Sequence, residues 1–159
     1  MYQRMRSKFA WKALSKTGPL TFQPSLRVPQ PSGVPGWLLL SHDEERARAL
    51  FVDAKGKQEE LALCIDERMC CDTIFRVVKV SPHVFAVQDV WVLNGDHVHP
   101  RSTYPQRSEW IRELLGLFHS PDLVALVPLS ELPVGTIIRG TEAYDDIPGS
   151  LGVFLPDKE

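Results

Sequence analysis

The chain has 159 residues, of which 43% are hydrophobic and 24% are charged, and this length and composition suit one domain with a core plus a short additional segment. No apolar run approaches the roughly 18 residues that span a bilayer, so we expect no membrane partner. The net charge of −2 conceals an asymmetry, because residues 1–42 carry six basic and no acidic side chains, whereas residues 43–159 carry twelve basic and twenty acidic ones. This split indicates a basic arm attached to an acidic body.

The three cysteines, Cys64, Cys70 and Cys71, are odd in number and lack paired C-x-x-C spacing, which indicates reduced thiols in an intracellular protein. His97 and His99 could share one face of an extended segment, but no third ligand accompanies them. The sequence therefore predicts no metal site and no other cofactor.

The N-terminal arm is predicted to comprise residues 1–36. Its first sixteen residues have the spacing of a short basic amphipathic helix, and five of its cations are candidates for phosphate contacts, namely Arg4, Arg6, Lys8, Lys12 and Lys16. A mitochondrial targeting segment and a solvated basic terminus are the alternatives. Five prolines in residues 17–36 predict an extended tether. An ordered tether needs a surface to lie on, and this need suggests that the protein is part of a larger assembly.

Residues 37–159 are predicted to form an α+β domain of mostly antiparallel strands with one or two helices. Short apolar or alternating segments predict six or seven strands, in residues 37–40, 48–53, 72–80, 85–93, 123–129, 137–138 and 151–155. Helical spacing of Trp110, Ile111, Leu114 and Leu115 predicts a helix in residues 104–115.

The strand at residues 85–93 contains one acidic residue, Asp89, within an alternating apolar pattern that places Phe85, Asp89 and Trp91 on one face. Asn94-Gly95 then predicts a turn. Since a buried carboxylate is costly without a partner, we expect Asp89 to be a structural hydrogen-bond acceptor, with Arg107 as a candidate donor.

The order of these motifs resembles the nucleotidyltransferase domain shared by DNA ligases, RNA ligases and messenger-RNA capping enzymes. The residues that carry the resemblance are Phe85-x-x-x-Asp89, the turn at Asn94-Gly95, and Tyr104-x-x-Arg107 before the helix. It covers approximately residues 37–154, and within the superfamily the chain is most similar to the catalytically inert cap-binding domain of snurportin. The resemblance implies a nucleotidyltransferase-like fold.

That family forms a phosphoramide through a lysine in the motif Lys-x-Asp-Gly, with an arginine two residues later. The matching stretch here begins at Ser41, has Glu44 in the glycine position and ends at Arg46. The late lysine motif of the family is also missing. A serine hydroxyl cannot form the phosphoramide, so we expect no nucleotidyl transfer.

The resemblance implies that Phe85 would stack on a base, with Arg46 or Arg48 contacting a phosphate or ribose. Trp37 and Trp91 are further stacking candidates, and the alternative for each aromatic residue is a place in the core. The expected function is non-catalytic binding of RNA, including a 5′ end or cap, within a ribonucleoprotein assembly. The alternatives are a purely structural subunit of a large complex, such as a mitochondrial ribosome or a virion, and a divergent ligase-type or capping-type enzyme. The compartments left open are the mitochondrial matrix, the nucleus and a virion.

Overall fold

The computed structural model of the chain describes residues 1–9, 16–43, 45–62, 71–115 and 124–157. Within these ranges the fold is α+β with mostly antiparallel sheets and two α-helices, which confirms the predicted class. The elements in chain order are α1 (Tyr2–Lys8), β1 (Lys16–Thr17), β2 (Leu26–Pro31), β3 (Val34–Asp43), β4 (Arg46–Asp53), β5 (Gln58–Leu61), β6 (Thr73–Ser81), β7 (Val84–Val92), a 3-10 turn (His99–Arg101), α2 (Tyr104–Leu115), β8 (Ala125–Pro128), a second 3-10 turn (Leu129–Glu131), β9 (Ile138–Tyr144) and β10 (Val153–Pro156).

The strands form two sheets. Among the described residues the larger has six strands in the order β5-β4-β3-β6-β7-β8, of which β7 and β8 are parallel and the other neighbours antiparallel. The smaller has four strands in the order β1-β10-β9-β2, with a parallel β1–β10 pair. The first 3-10 turn and α2 lie between β7 and β8 in the chain, and α2 packs beside these two strands of the larger sheet.

The larger sheet is buried on both faces, because alternate residues of β3 and β4 belong to different hydrophobic clusters. On one face, Leu38, Leu40 and Phe51 pack with residues of β6, β7 and α2. On the opposite face, Leu39 and Leu50 pack with Trp37 and Trp91 and with residues of α1. Because both faces of these strands are covered, the residues in the middle of each strand are apolar without alternation.

The N-terminal region differs from the predicted arm. The basic helix is present at Tyr2–Lys8, but Met5 is fully buried against the larger sheet. Residues 26–31 are β2, which pairs with β9 at the end of the smaller sheet, where a strand bonded on one side tolerates proline. Since β3 begins at Val34, the predicted boundary after residue 36 falls inside a strand. The described parts of residues 1–36 thus belong to the folded body, while residues 10–15, including Lys12, lie outside the description.

The alternation in β7 is interrupted twice. The register with β6 runs Val77↔Val87, Arg76↔Asp89, Phe75↔Val90 and Ile74↔Val92, so Gln88 and Trp91 are extra residues on β7. Each bulge reverses the face that later side chains occupy. Phe85 and Val90 consequently share one cluster, whereas Trp91 lies in the other. The prediction that Phe85 and Trp91 share a face is therefore wrong.

Candidate functional site

Ser41, which stands at the lysine position implied by the family resemblance, is a buried residue near the end of β3. It is only 3% exposed. Its hydroxyl donates a hydrogen bond to Asp72 Oδ1 at 2.6 Å and accepts one from Arg4 Nη2 at 2.8 Å. The neighbouring Glu44 lies outside the described residues. Ser41 is thus a short polar group whose hydrogen bonds stay within the protein.

Asp72 joins α1 to this position. Its carboxylate accepts hydrogen bonds from both Arg4 guanidinium nitrogens, at 2.8 and 2.9 Å, and from Lys8 Nζ at 3.2 Å. Burial alone would raise the pKa of Asp72, but the hydrogen bonds from Arg4, Ser41 and Lys8 outweigh burial and hold this pKa well below its usual range. The carboxylate is therefore charged at neutral pH and anchors the basic helix.

Apolar side chains complete the contact of α1 with the sheet. Tyr2, Met5 and Phe9 belong to the same cluster as Trp37 and Trp91. The Phe9 ring also meets the edge of the His97 ring at a centroid distance of 6.3 Å. The helix thereby covers the tryptophan-bearing face of the larger sheet, next to Ser41.

The three predicted stacking residues are all part of the core. Phe85 is fully buried and packs edge-to-face on Phe51 with a centroid distance of 5.1 Å. Trp37 and Trp91 are 8% and 2% exposed, and their rings meet edge-to-face at 6.1 Å. None of them presents an open ring face to a base, so the core alternative describes these side chains.

The two predicted phosphate-binding arginines of β4 are engaged with carboxylates. Arg48 binds Asp43 at 2.8 Å and Glu60 at 3.0 Å, and Arg46 binds Glu60 at 3.1 Å. The Arg46 and Glu60 side chains are 60% and 38% exposed, whereas the Arg48 side chain is 16% exposed. The hydrogen bond from Arg48 lowers the pKa of the Glu60 carboxyl. Both arginines thus bind carboxylates of the protein itself.

The predicted partnership of Asp89 and Arg107 is present. Arg107 Nε lies 2.7 Å from Asp89 Oδ1, and both side chains are buried. The guanidinium also donates to the backbone carbonyls of His99, Ser102 and Ser150. Arg107 thus connects β7 and α2 to two loops, which is a structural role.

A second buried ion pair was not predicted. Arg76 of β6 donates to both Glu142 oxygens at 3.0 and 2.8 Å and to the Tyr144 hydroxyl at 2.6 Å. Tyr144 donates in turn to Glu142 and stacks on Tyr104 at 3.7 Å. Burial opposes charge on Arg76, but Tyr144 and Glu142 nevertheless raise its pKa. Burial raises the pKa values of both tyrosines, so neither ionises near neutral pH.

This network joins the two sheets through side chains that lie 66 residues apart in the sequence. The only signal for it in the sequence is a glutamate among small and aromatic residues at 140–144. A single carboxylate of that kind has no local partner and cannot be assigned to Arg76 without the fold.

His97 and His99 lie close together in the sequence, and no metal site is predicted for them. His99 is buried, with Nε2 at 3.8 Å from Asp89 Oδ2, and the described residues contain no group of three or more side chains suited to hold a metal ion. Cys71 is free and exposed, while Cys64 and Cys70 lie outside the described ranges. No helix in the described part of the chain is long and apolar enough to cross a membrane.

Comparison with known proteins finds no family model that matches the chain and no curated protein with significant sequence similarity.

Proposed function

We propose that the protein is a non-catalytic module with a nucleotidyltransferase-like fold that works through its surfaces as a subunit of a larger assembly. The observation that carries this proposal is the state of Ser41. The lysine amine that the chemistry needs is replaced by a buried hydroxyl, which is hydrogen-bonded to Asp72 and Arg4.

Among the described lysines, Lys8 is held close to Ser41 through a shared partner. Its Nζ lies 3.2 Å from Asp72, which also binds Ser41. In this ion pair Lys8 anchors α1 to the sheet, and the proposal assigns it no nucleophilic role.

Incubation with labelled ATP or GTP and magnesium, followed by denaturing electrophoresis, tests the proposal. We expect no covalently labelled protein. The matched variant Lys8→Arg keeps the positive charge but removes the amine. A labelled band that disappears in this variant would establish an enzyme that recruits its lysine from α1, and the non-catalytic proposal would be abandoned.

RNA binding is the second candidate, and the outer side of α1 favours it. Arg4 and Lys8 remain 44% and 55% exposed while they bind Asp72, and Arg6 is also exposed. Cations on one short helix can contact successive phosphates, with an affinity that falls as salt rises. On this proposal the acidic body gives little affinity.

A titration of capped and uncapped RNA at several salt concentrations tests this second candidate. Arg6→Ala should weaken binding to both RNAs and reduce the salt slope by about one. Lys57→Ala removes an exposed cation from the β4–β5 turn and is the control. Equal binding by both variants would exclude α1 as the contact. Phe85→Ala is unsuitable here, because loss of a fully buried ring disturbs folding itself.

A further inference from the structure

Exposed apolar side chains are concentrated at one end of the molecule. Among the described residues five large hydrophobic side chains are exposed, and four of them lie at this end: Val34 (45%), Val134 (107%), Ile137 (72%) and Ile138 (38%). The fifth, Ile147, is 60% exposed and lies in the loop between β9 and β10. We call residues 31–34, 80–84 and 132–138 the apolar end.

The three segments of the apolar end border a shared groove of about 470 Å³, which is lined by Ser32, Gly33, Val80, Val84, Val134 and Ile137. The Ser32 amide donates to the Ile137 carbonyl at 2.7 Å. Gly33 has a φ of 154°, and a Cβ there would lie 2.3 Å from the Lys79 carbonyl oxygen. This close backbone packing joins the turns into one preformed surface.

The apolar end is also electrically neutral. Its segments contain no Asp, Glu, Lys or Arg, in a chain that is 24% charged, and His83 is their only titratable side chain. Three charged residues directly adjoin its segments: Glu131 is exposed, Lys79 binds Glu59 at 2.8 Å, and the Arg139 guanidinium lies over the Phe154 ring at 4.4 Å. A contact at this surface would therefore depend on apolar burial and not on ion pairs.

These properties select among partners. Nucleic acids need cations for their phosphates, and membrane surfaces attract segments with cations and interfacial tryptophan or tyrosine, none of which occurs in the apolar end. A two-fold contact between copies places the same patch on both sides, so any charge near the axis meets its own sign. A neutral apolar patch avoids this repulsion, whereas the rest of the body, residues 43–159, carries an excess of acidic groups.

We propose that the apolar end binds the apolar end of a second copy of this chain, forming a two-fold symmetric dimer. Exposed patches of aliphatic side chains commonly mark such interfaces. Proline and glycine turns that are already packed against β6 lose little conformational freedom on association. This proposal does not depend on the proposed function.

Sedimentation velocity of the full chain, from low micromolar to near-millimolar concentration, tests the dimer. We expect a reversible monomer–dimer equilibrium that is unchanged or strengthened by added salt, because apolar burial is not screened. Val134→Asp and Ile137→Asp should each raise the dissociation constant at least about tenfold, since each places two like charges in the contact.

Ile147→Asp is the matched control, because it adds the same charge to an exposed isoleucine outside the apolar end. It should leave the dissociation constant within about twofold of the original. Circular dichroism of all three variants establishes that they fold. A chain that stays monomeric throughout overturns the proposal and leaves the surface to a different protein. Dissociation by salt, or equal effects of Ile147→Asp and Val134→Asp, would also overturn it.

Discussion

Two clusters of this molecule each bind one or two basic side chains to one carboxylate, but they differ in how far their cations are buried. Between the sheets, Arg76 and Glu142 are 3% and 1% exposed and form a bidentate pair. At α1, Arg4 and Lys8 share Asp72, yet both remain about half exposed. Charges that are fully desolvated depend on their partners, whereas exposed pairs are replaced by water at little cost.

The interior pair stabilises the fold as a whole, whereas the α1 cluster is able to open locally. The interior pair connects β6 to β9, so neither sheet can move without exposing an unpaired charge. The α1 cluster attaches one short helix, aided by the buried Met5. We therefore expect global unfolding to report on the first cluster and local opening to report on the second.

The largest effect is expected for Glu142→Gln. The substitution nearly preserves the shape of the side chain but removes the carboxylate that binds the buried Arg76 guanidinium through two hydrogen bonds. Unfolding in urea should show a loss of about 3–5 kcal/mol in the free energy of unfolding. Glu131→Gln, at an exposed residue of the second 3-10 turn, is the control. A loss below about 1 kcal/mol for Glu142→Gln would mean that the interior pair contributes no more than a surface pair.

A somewhat smaller loss is expected for Arg107→Lys. The charge beside Asp89 stays, but one ammonium cannot reproduce the donors that Arg107 directs to Asp89 and to three carbonyls. We expect a loss of about 2–4 kcal/mol in the free energy of unfolding. Arg112→Lys on the exposed side of the same helix should change it by less than about 0.5 kcal/mol. Similar values for both variants would show that the carbonyl contacts contribute nothing.

A local effect is expected for Asp72→Asn. Loss of the carboxylate releases Arg4 and Lys8, at a global cost of about 1 kcal/mol, because both cations are half exposed. The Met5 and Phe9 amides donate hydrogen bonds to the Met1 and Met5 carbonyls. Their hydrogen exchange should accelerate more than exchange in β6. Uniform acceleration throughout the chain would contradict a separately opening helix.

The Asp72 carboxylate should also make the stability of the α1 attachment depend on pH. The pKa of Asp72 is lowered in the folded state, so its contribution is complete above the unfolded value of about 3.9 and is lost as pH falls toward the lowered folded value. Protection of the α1 amides should therefore persist from neutral pH to about pH 4 and decline below it. In Asp72→Asn this decline should be absent, and an unchanged decline in the variant would assign it to another group.

The smallest effect is expected for Glu60→Gln on the exposed side of β5. The Glu60 side chain is 38% exposed and that of its partner Arg46 is 60% exposed, so the loss should be under about 1 kcal/mol and should diminish further in high salt. Urea unfolding at low and high salt measures both. A loss comparable to that of Glu142→Gln would remove the distinction between buried and exposed clusters.

Much of the larger sheet could be predicted from local patterns. The segments at 48–53, 72–80 and 85–93 and the helix at 104–115 correspond to β4, β6, β7 and α2. Each contains a complete apolar period. The strand at 26–31 was interpreted as a tether because Pro29 and Pro31 obscure its pattern, and its pairing partner β9 lies far along the chain. Distant pairing of this kind leaves no local signal.

In the candidate site, too, contacts within one short stretch could be predicted, whereas burial could not. Asp89 and Arg107 could be paired in advance, because a buried acid and a nearby helical arginine occur within one short stretch. Stacking on a base and a place in the core were both open for Phe85 and Trp91 from the sequence, and both side chains are buried. Their burial depends on which face each bulge presents and on what covers that face, and neither is encoded by alternation alone.

The sequence by itself determined the α+β class and the Asp89–Arg107 pair, because each depends on residues close together in the chain. Only the tertiary structure decided that α1 covers Ser41, that Arg76 meets Glu142, and that the uncharged turns converge on one apolar end. These contacts join segments tens of residues apart, and the burial that gives them their energy exists only after the two sheets have packed.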